Sequence, residues 1–319
     1  MEQPIVSIVI VCMNNLKNLY PCLDSIKRYT TISYEILVVA YLFSKENLQK
    51  VRVNFPWVTF IESNEIRGFS ENNNLALRRA KGKYCFVLND DTEMRMAVVD
   101  MLVASFEKCD NKTAIVSPVT IYQDGKVQVC GRPRYNSWTY VLECLKIYNG
   151  KIIERQDRHD LFKSYNILGA AFMIRTDIFK EVGWFDERYF FSPEDIALST
   201  LLNQKGYECW VNGEARLIHY EGMTSKSLNM IQTATKPAGN KGSILFYSHN
   251  KKLSIFCLSL FSFNISIAQF IYHIVKSYMK KRPNVYYILA IGNLNCIMTT
   301  FSSMTPKEIF IKYYYKLIN

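Results

Sequence analysis

Acidic residues almost vanish from the last third of this 319-residue sequence. From Lys226 onward there is one, Glu308, against 12 Lys and Arg, whereas residues 1–225 hold 27 basic and 27 acidic side chains. The net charge of +11 therefore belongs to the tail. Within that tail, Leu253 to Val275 lacks charge of either sign for about 23 residues. C-x-x-C pairs are absent too. The nine cysteines (12, 22, 85, 109, 130, 144, 209, 257 and 296) are scattered, mostly in apolar runs, which points to reduced thiols in a cytosolic setting. No basic stretch or small-residue cleavage site precedes the strand pattern at Ile5–Val11, so no secretory signal is expected. A composition of 49% hydrophobic and 21% charged residues excludes a disordered or fibrous chain and suits one large α/β domain or two smaller ones.

What is present is an alternation of strand and helix patterns. SIVIVC (7–12), EILVV (35–39), VTFIES (58–63) and the run Tyr84–Leu88 read as buried strands. Leu19, Leu23 and Ile26 have helical spacing, Ser70–Ala80 reads as a helix stopped by Gly82, and Val98–Phe106 as another. Strands alternating with helices predict a parallel, doubly wound sheet. A strand at 114–119 follows. Residues 121–165, with Gly, Pro, Asn and the aromatics Tyr135, Trp138, Tyr140 and Tyr148, then form an irregular insert that either shapes a substrate site or is a surface excursion. Regular structure resumes at ILGAAFMIR (167–175), passes through a short helix ending near Gly183, and reaches SPED (192–195), from which a helix with Ile196, Leu198, Leu201 and Leu202 runs to Gly206.

Two acidic clusters stand out. The apolar run Cys85–Leu88 stops on Asn89, Asp90 and Asp91, which places carboxylates at a strand's carboxyl edge, where open α/β sheets bind ligands. A divalent cation and a diphosphate suit that position; a solvated acidic loop is the alternative. SPED sits at a helix start, where acids are favoured in any case.

Four stretches in this order and spacing resemble family 2 glycosyltransferases of the GT-A fold: SIVIVCMNN (7–15), RGFSENNNLALRRAKGKYCFVLNDDT (67–92), GAAFMIRTDIFKEVGWFDERYFFSPEDIALSTLLNQKGY (169–207) and HYEGMTS (219–225). The resemblance covers about residues 5–225. It implies a Rossmann-like, mostly parallel sheet, a nucleotide-sugar donor, and Mn²⁺ or Mg²⁺ held by hard oxygen ligands to neutralise the leaving diphosphate. Asp91 is the implied metal ligand. The family's Asp-x-Asp reads Asn89-Asp90-Asp91 here, so the first carboxylate is an amide, and Asp90 is expected beside the donor. The resemblance makes Asp195 the base that takes the acceptor's proton, with Glu194 orienting it, and places His219 near the metal or diphosphate. A structural histidine is the alternative. Arg67, Gly68, Asn73 and Asn74 fall where the family approaches the nucleotide, although the asparagines equally suit helix capping.

Departures from the pattern narrow the reading. The acidic residue that usually contacts the nucleobase is missing: the place reads Val39-Ala40-Tyr41-Leu42, so the base is unassigned and Tyr41 is expected to stack on it. The Q-x-x-R-W signature of processive synthases is also missing, which favours transfer of one sugar. In the tail, Ser259, Ser262, Ser266, Gln269 and His273 recur at spacings of 3 and 4 and draw a polar stripe down one helical face. With Lys251 and Lys252 before the apolar run, Lys276, Lys280, Lys281 and Arg282 after it, a second apolar run (285–301) and KYYYK (312–316), the tail reads as an anchor on an anionic membrane surface. A hairpin in the bilayer and a helical subdomain are the alternatives.

The expectation is a GT-A domain over 1–225, with a nucleotide-sugar half (1–119) and an acceptor half (120–225), followed by a basic apolar helical tail (226–319). Its function would be metal-dependent, inverting transfer of one sugar to a saccharide acceptor, lipid-linked by the joint reading of family and tail. Transfer would occur at the cytoplasmic face of the membrane, as in O-antigen or rhamnosyl-type transferases. The rival, motivated by Ala40 and Asn89, is a non-catalytic saccharide-binding or scaffolding protein. Nucleic acid is not an expected partner, because apolar runs rather than polar aromatic platforms separate the tail's charges.

Overall fold

The computed structural model describes residues 3–148, 150, 154–220, 230–279 and 283–318. Residues 221–225 of the HYEGMTS stretch and 280–282 of the tail's basic flank lie outside the described residues. The chain forms two compact units. The first comprises Met1–Arg134, Gly150–Asp186 and Asp195–Glu221; the second comprises Tyr135–Asn149, Glu187–Glu194 and Gly222–Asn319.

The first unit is built on a ten-stranded sheet. Its strands are β1 (Val6–Met13), β2 (Tyr34–Tyr41), β3 (Thr59–Ser63), β4 (Tyr84–Asn89), β5 (Thr92–Met94), β6 (Thr113–Ile121), β7 (Val127–Val129), β8 (Leu161–Ser164), β9 (Ala171–Arg175) and β10 (Glu208–His219). Helices α1 (Leu16–Tyr29), α2 (Lys45–Asn54), α3 (Phe69–Leu77) and α4 (Val98–Lys108) connect the early strands. The order β3-β2-β1-β4-β9-β6-β10-β5 has β7 beside β6 and β8 beside β10.

The early strands are apolar on both faces because both are covered. Ile8 and Ile10 of β1 pack with Leu19 and Leu23 of α1 and Val98 and Leu102 of α4, whereas Val9 packs with Leu77 of α3 and with Phe172 and Leu202. The helix starts are set locally: Asn15 accepts the Asn18 N–H and Ser44 accepts the Asn47 N–H.

The expectation of a mostly parallel sheet needs correcting. β1, β2, β3 and β4 pair in parallel, as does β6 with β10, but five pairings are antiparallel, and β9 lies antiparallel between β4 and β6. An apolar run such as AFMIR carries no information about strand direction, so periodicity does not reveal this reversal. Its consequence is spatial: the start of β9 lies beside the end of β4. The insert at 121–165 is also more regular than expected, containing β7, β8 and the helix Ser137–Cys144.

In the second unit the helices Gln232–Tyr247, Lys252–Met279, Pro283–Thr299 and Pro306–Ile318 pack on one another. The polar stripe of the long helix turns inward. Ser259, Ser262 and Ser266 are buried. Ser262 Oγ donates to Asn240 Oδ1 at 2.8 Å, Lys236 Nζ to Gln269 Oε1 at 3.3 Å, and Asn293 Nδ2 lies 3.0 Å from His273 Nδ1. The outward face carries Leu253, Phe256, Leu260, Ile271, Tyr272 and Val275, all exposed. The stripe is thus a seam between helices, and the face turned to solvent is apolar.

Candidate active site

The turn after β4 sets the site. Asn89 is still a strand residue, paired with Val11, and its N–H donates to Ala170 O at 2.8 Å just before β9. Its carbonyl accepts the Thr92 hydroxyl at 2.7 Å, closing the turn. Asp90 and Asp91 then diverge. Asp90, partly buried, engages the Cys12 thiol of β1, and desolvation pushes its carboxyl up to about 7, with Asp91 adding to the rise. It lies beside Asp91 and His219 as well, at the same turn as the expected donor site. Asp91 is 8% exposed, and its main-chain carbonyl accepts the Tyr220 N–H.

Antiparallel pairing of β5 with β10 aligns Thr92 with His219, which brings the imidazole to Asp91: Nε2 lies 3.4 Å from Oδ1. Gln128 of β7 completes the arrangement, its Oε1 2.8 Å from His219 Nδ1. An amide oxygen only accepts, so Nδ1 carries a proton, and Nε2 is the ring nitrogen available to a cation beside Asp91. A carboxylate oxygen and an imidazole nitrogen so placed are a donor pair that would hold a divalent cation. Among the described residues no third His, Cys, Asp or Glu joins them in a metal-binding group. Gln128 carried no signal in the sequence beyond its place in an apolar alternation.

Asp195 stands at the start of the helix Glu194–Gln204. Its Oδ1 accepts the Ile196 N–H at 2.8 Å and its Oδ2 accepts the Gly169 N–H at 3.0 Å. Gly169 directly precedes Ala170, the residue that accepts from Asn89. Two consecutive residues thus tie the β4 turn to the Asp195 carboxylate. Gly169 eases this approach, since a Cβ there would lie a tight 3.3 Å from the Asp195 Cβ. Arg132 pairs with the same oxygen, Nη1 to Oδ2 at 2.9 Å. Glu194 belongs to the second unit, where its carboxylate accepts the Ser192 N–H.

The nucleotide-side expectations divide. Arg67 sits after β3, its guanidinium on Ser63 Oγ at 3.1 Å and on Glu65 at 2.7 Å, and the Gly68 N–H donates to Glu71. Asn73 and Asn74 are buried and turned to main chain. Asn73 Nδ2 donates to Phe69 O, while Asn74 donates to Phe185 O and accepts from Phe185 N. They hold α3 and the 185 segment in place instead of reaching a ligand or capping a helix. Tyr41 is 5% exposed and its hydroxyl accepts the Arg67 N–H at 3.3 Å, so its ring supports the Arg67 loop and has no open face on which a base would stack. A cleft of about 1300 Å³ lined by Glu35, Lys81, Lys83, Arg175 and Lys180 opens at the other edge of the sheet. None of the candidate side chains lies there; they gather at the carboxyl edge, where strand ends and following loops leave room for a ligand.

Comparison with known proteins identifies the fold and the family. Of curated proteins, the O-antigen biosynthesis protein RfbC of Myxococcus xanthus is 24% identical over 161 residues, 49% of this chain, and the chain spans only 12% of that protein's length. Among solved structures, the mannosyltransferase PcManGT of Pyrobaculum calidifontis, in complex with GDP-Man and Mn²⁺, superposes with a TM-score of 0.56 at 13% identity, covering 93% of this chain and 88% of that one. GalNAc-T7 with UDP, GalNAc and Mn²⁺ gives 0.54 at 18% identity, covering 68% and 44%. Residues 1–349 of S. aureus TarS give 0.53 at 14%, covering 93% and 81%. At such identities the structural likeness speaks for the fold, a mixed α/β arrangement of GT-A type. The family model for glycosyl transferase family 2 matches residues 7–183, more than half of the chain. The chain belongs to glycosyl transferase family 2.

Proposed function

We propose that this glycosyltransferase moves one sugar from a nucleotide-sugar donor to a saccharide acceptor by metal-dependent, inverting displacement. The observation that carries the reading is the short link from Asn89 through Ala170 and Gly169 to Asp195, which sets a candidate base beside a candidate metal turn. Asp91 and His219 would hold Mn²⁺ or Mg²⁺, which neutralises the departing diphosphate. Arg67 and Gly68 border the donor side within residues 1–119. Asp195 takes the proton from the acceptor hydroxyl as its oxygen attacks the anomeric carbon from the face opposite the leaving group, so the configuration inverts. Glu194 shapes the turn that starts the Asp195 helix. The acceptor side draws on residues 120–225.

The tail supports a place for the reaction. An outward apolar face flanked by lysines suits attachment to an anionic membrane from the cytoplasmic side, and with it a lipid-linked acceptor. Among the described residues, Lys252–Met279 is the one helix long and apolar enough to cross a bilayer; lying in the interface accords with the basic flanks on both sides. The similarity to a protein named for O-antigen biosynthesis supports a role in surface-glycan assembly.

Thermal shift with UDP- and GDP-sugars, with and without Mn²⁺, tests the donor. Stabilisation that requires Mn²⁺ and disappears in Asp91→Ala is expected. Turnover should fall about 10²–10⁴-fold in Asp195→Asn. Full turnover in both variants would refute the assignment.

A further inference from the structure

We propose that Arg132 is the positioning residue of the transfer reaction, holding one oxygen of Asp195 so that the other, Oδ1, is the atom that accepts the proton. This rests on Asp195 being the base. Oδ2 receives two donors, Arg132 Nη1 at 2.9 Å and the Gly169 N–H at 3.0 Å, which use both of its lone pairs. Among the described residues Oδ1 receives only the Ile196 N–H, at 2.8 Å, which leaves one lone pair for an incoming hydroxyl.

Arg132 is itself fixed. Its Nε lies 3.0 Å from Glu154 Oε1, its N–H donates to Ser164 Oγ at 2.9 Å, and its carbonyl accepts the Asn166 N–H at 3.0 Å. The side chains of Arg132, Glu154 and Asp195 are 17%, 11% and 15% exposed, so water competes little for these contacts. A guanidinium between two such carboxylates gives a directional, two-sided fork that an ammonium does not reproduce. Arg132 and Glu154 both come from the 121–165 insert, which thereby serves the chemistry as well as the surface.

The test compares Arg132→Gln, Arg132→Lys, the charge-balanced Arg132→Gln/Glu154→Gln pair and Asp195→Asn. Nucleoside diphosphate release is read from UDP-GlcNAc, UDP-glucose, UDP-galactose and GDP-mannose with Mn²⁺, together with a crystal structure of the charge-balanced variant. With Arg132 absent, kcat should fall about 10²-fold while the donor KM stays within about twofold, because a misplaced base costs rate and not donor affinity. Arg132→Lys should recover part of kcat, and millimolar guanidinium added to Arg132→Gln should recover more. In the crystal structure the Asp195 carboxylate should leave the Gly169 N–H. Full kcat in both Gln variants with Asp195→Asn inactive would overturn the positioning role and leave the base in place. Full kcat in Asp195→Asn would overturn the base itself. Where none of the four donors turns over, the crystal structure decides: a single Asp195 conformer still on Gly169 and Ile196 overturns the inference.

Discussion

Gln128 decides what His219 can do. By accepting from Nδ1 it fixes the ring's orientation and keeps a proton on that nitrogen, so that Nε2 is the one placed toward Asp91. Gln128→Leu should therefore weaken Mn²⁺ binding about 10–100-fold, read by calorimetric titration in the presence of UDP or GDP, while Asp91→Ala should abolish it. Asn74 makes the opposite case of a residue in a family-like stretch with a structural duty. Both its amide atoms serve the main chain of Phe185 in the core. Asn74→Ala should cost about 2–3 kcal/mol, seen as a lower urea midpoint with an unchanged m value, and leave nucleotide affinity as it was. The family resemblance singles out Asp91, Asp195 and His219, each of which sits near an element end. It overlooks Gln128 and Arg132, whose duties come from contacts 91 and 63 residues away along the chain.

At the scale of elements, two placements matter: the antiparallel β9 for the site and, within the second unit, the facing of the long helix. β9 begins where β4 ends, so the loop before it touches both the Asn89 turn and Asp195. Gly169→Ala inserts a methyl 3.3 Å from the Asp195 Cβ and should lower kcat about tenfold with the fold intact, measured by turnover alongside circular dichroism. The helix Lys252–Met279 hides its serines and shows its aliphatics, the reverse of a helix on a soluble domain. Leu260→Glu with Ile271→Glu should abolish co-sedimentation with phosphatidylserine vesicles while the Tm stays within about 2 °C, since both side chains face outward. Unchanged sedimentation of that variant would count against the anchor. The apolar run and its polar stripe are readable in sequence. Which of the two faces turns inward is not, because helical period gives two faces without saying what covers either.

For the whole molecule, the thiols make a useful reporter. Burial pushes Cys22, Cys85 and Cys209 up to about 12, whereas Cys257 is exposed on the long helix. At pH 8 an impermeant maleimide should label Cys257 first and lose that reaction when vesicles are present, as mass spectrometry of the labelled peptides will show. The same burial gives a pH dependence of definite sign. Between about 9, where a free thiol ionises, and about 12, the folded chain holds protons that the unfolded chain has released. Stability therefore falls as pH rises through that window, by up to about 1.4 kcal/mol per pH unit for each thiol, and the urea midpoint should drop from pH 9 to pH 10.5.

Local pattern suffices for some of this molecule and fails for the rest. The strands at 6–13, 34–41, 59–63 and 84–89, the helices between them, the acidic turn and the basic apolar tail all follow from runs and spacings within about 15 residues, because backbone pairing and helical period are local constraints. Order within the sheet is another matter. The reversal of β9, the pairing of β5 with β10 that delivers His219, the Arg132–Glu154 arm on Asp195, and the inward turn of the tail's serines each depend on which distant surfaces bury one another. Burial is a property of the folded whole, so only tertiary structure turns a list of acidic and polar residues into an Asp91–His219 pair, a held Asp195 carboxylate and an outward apolar face.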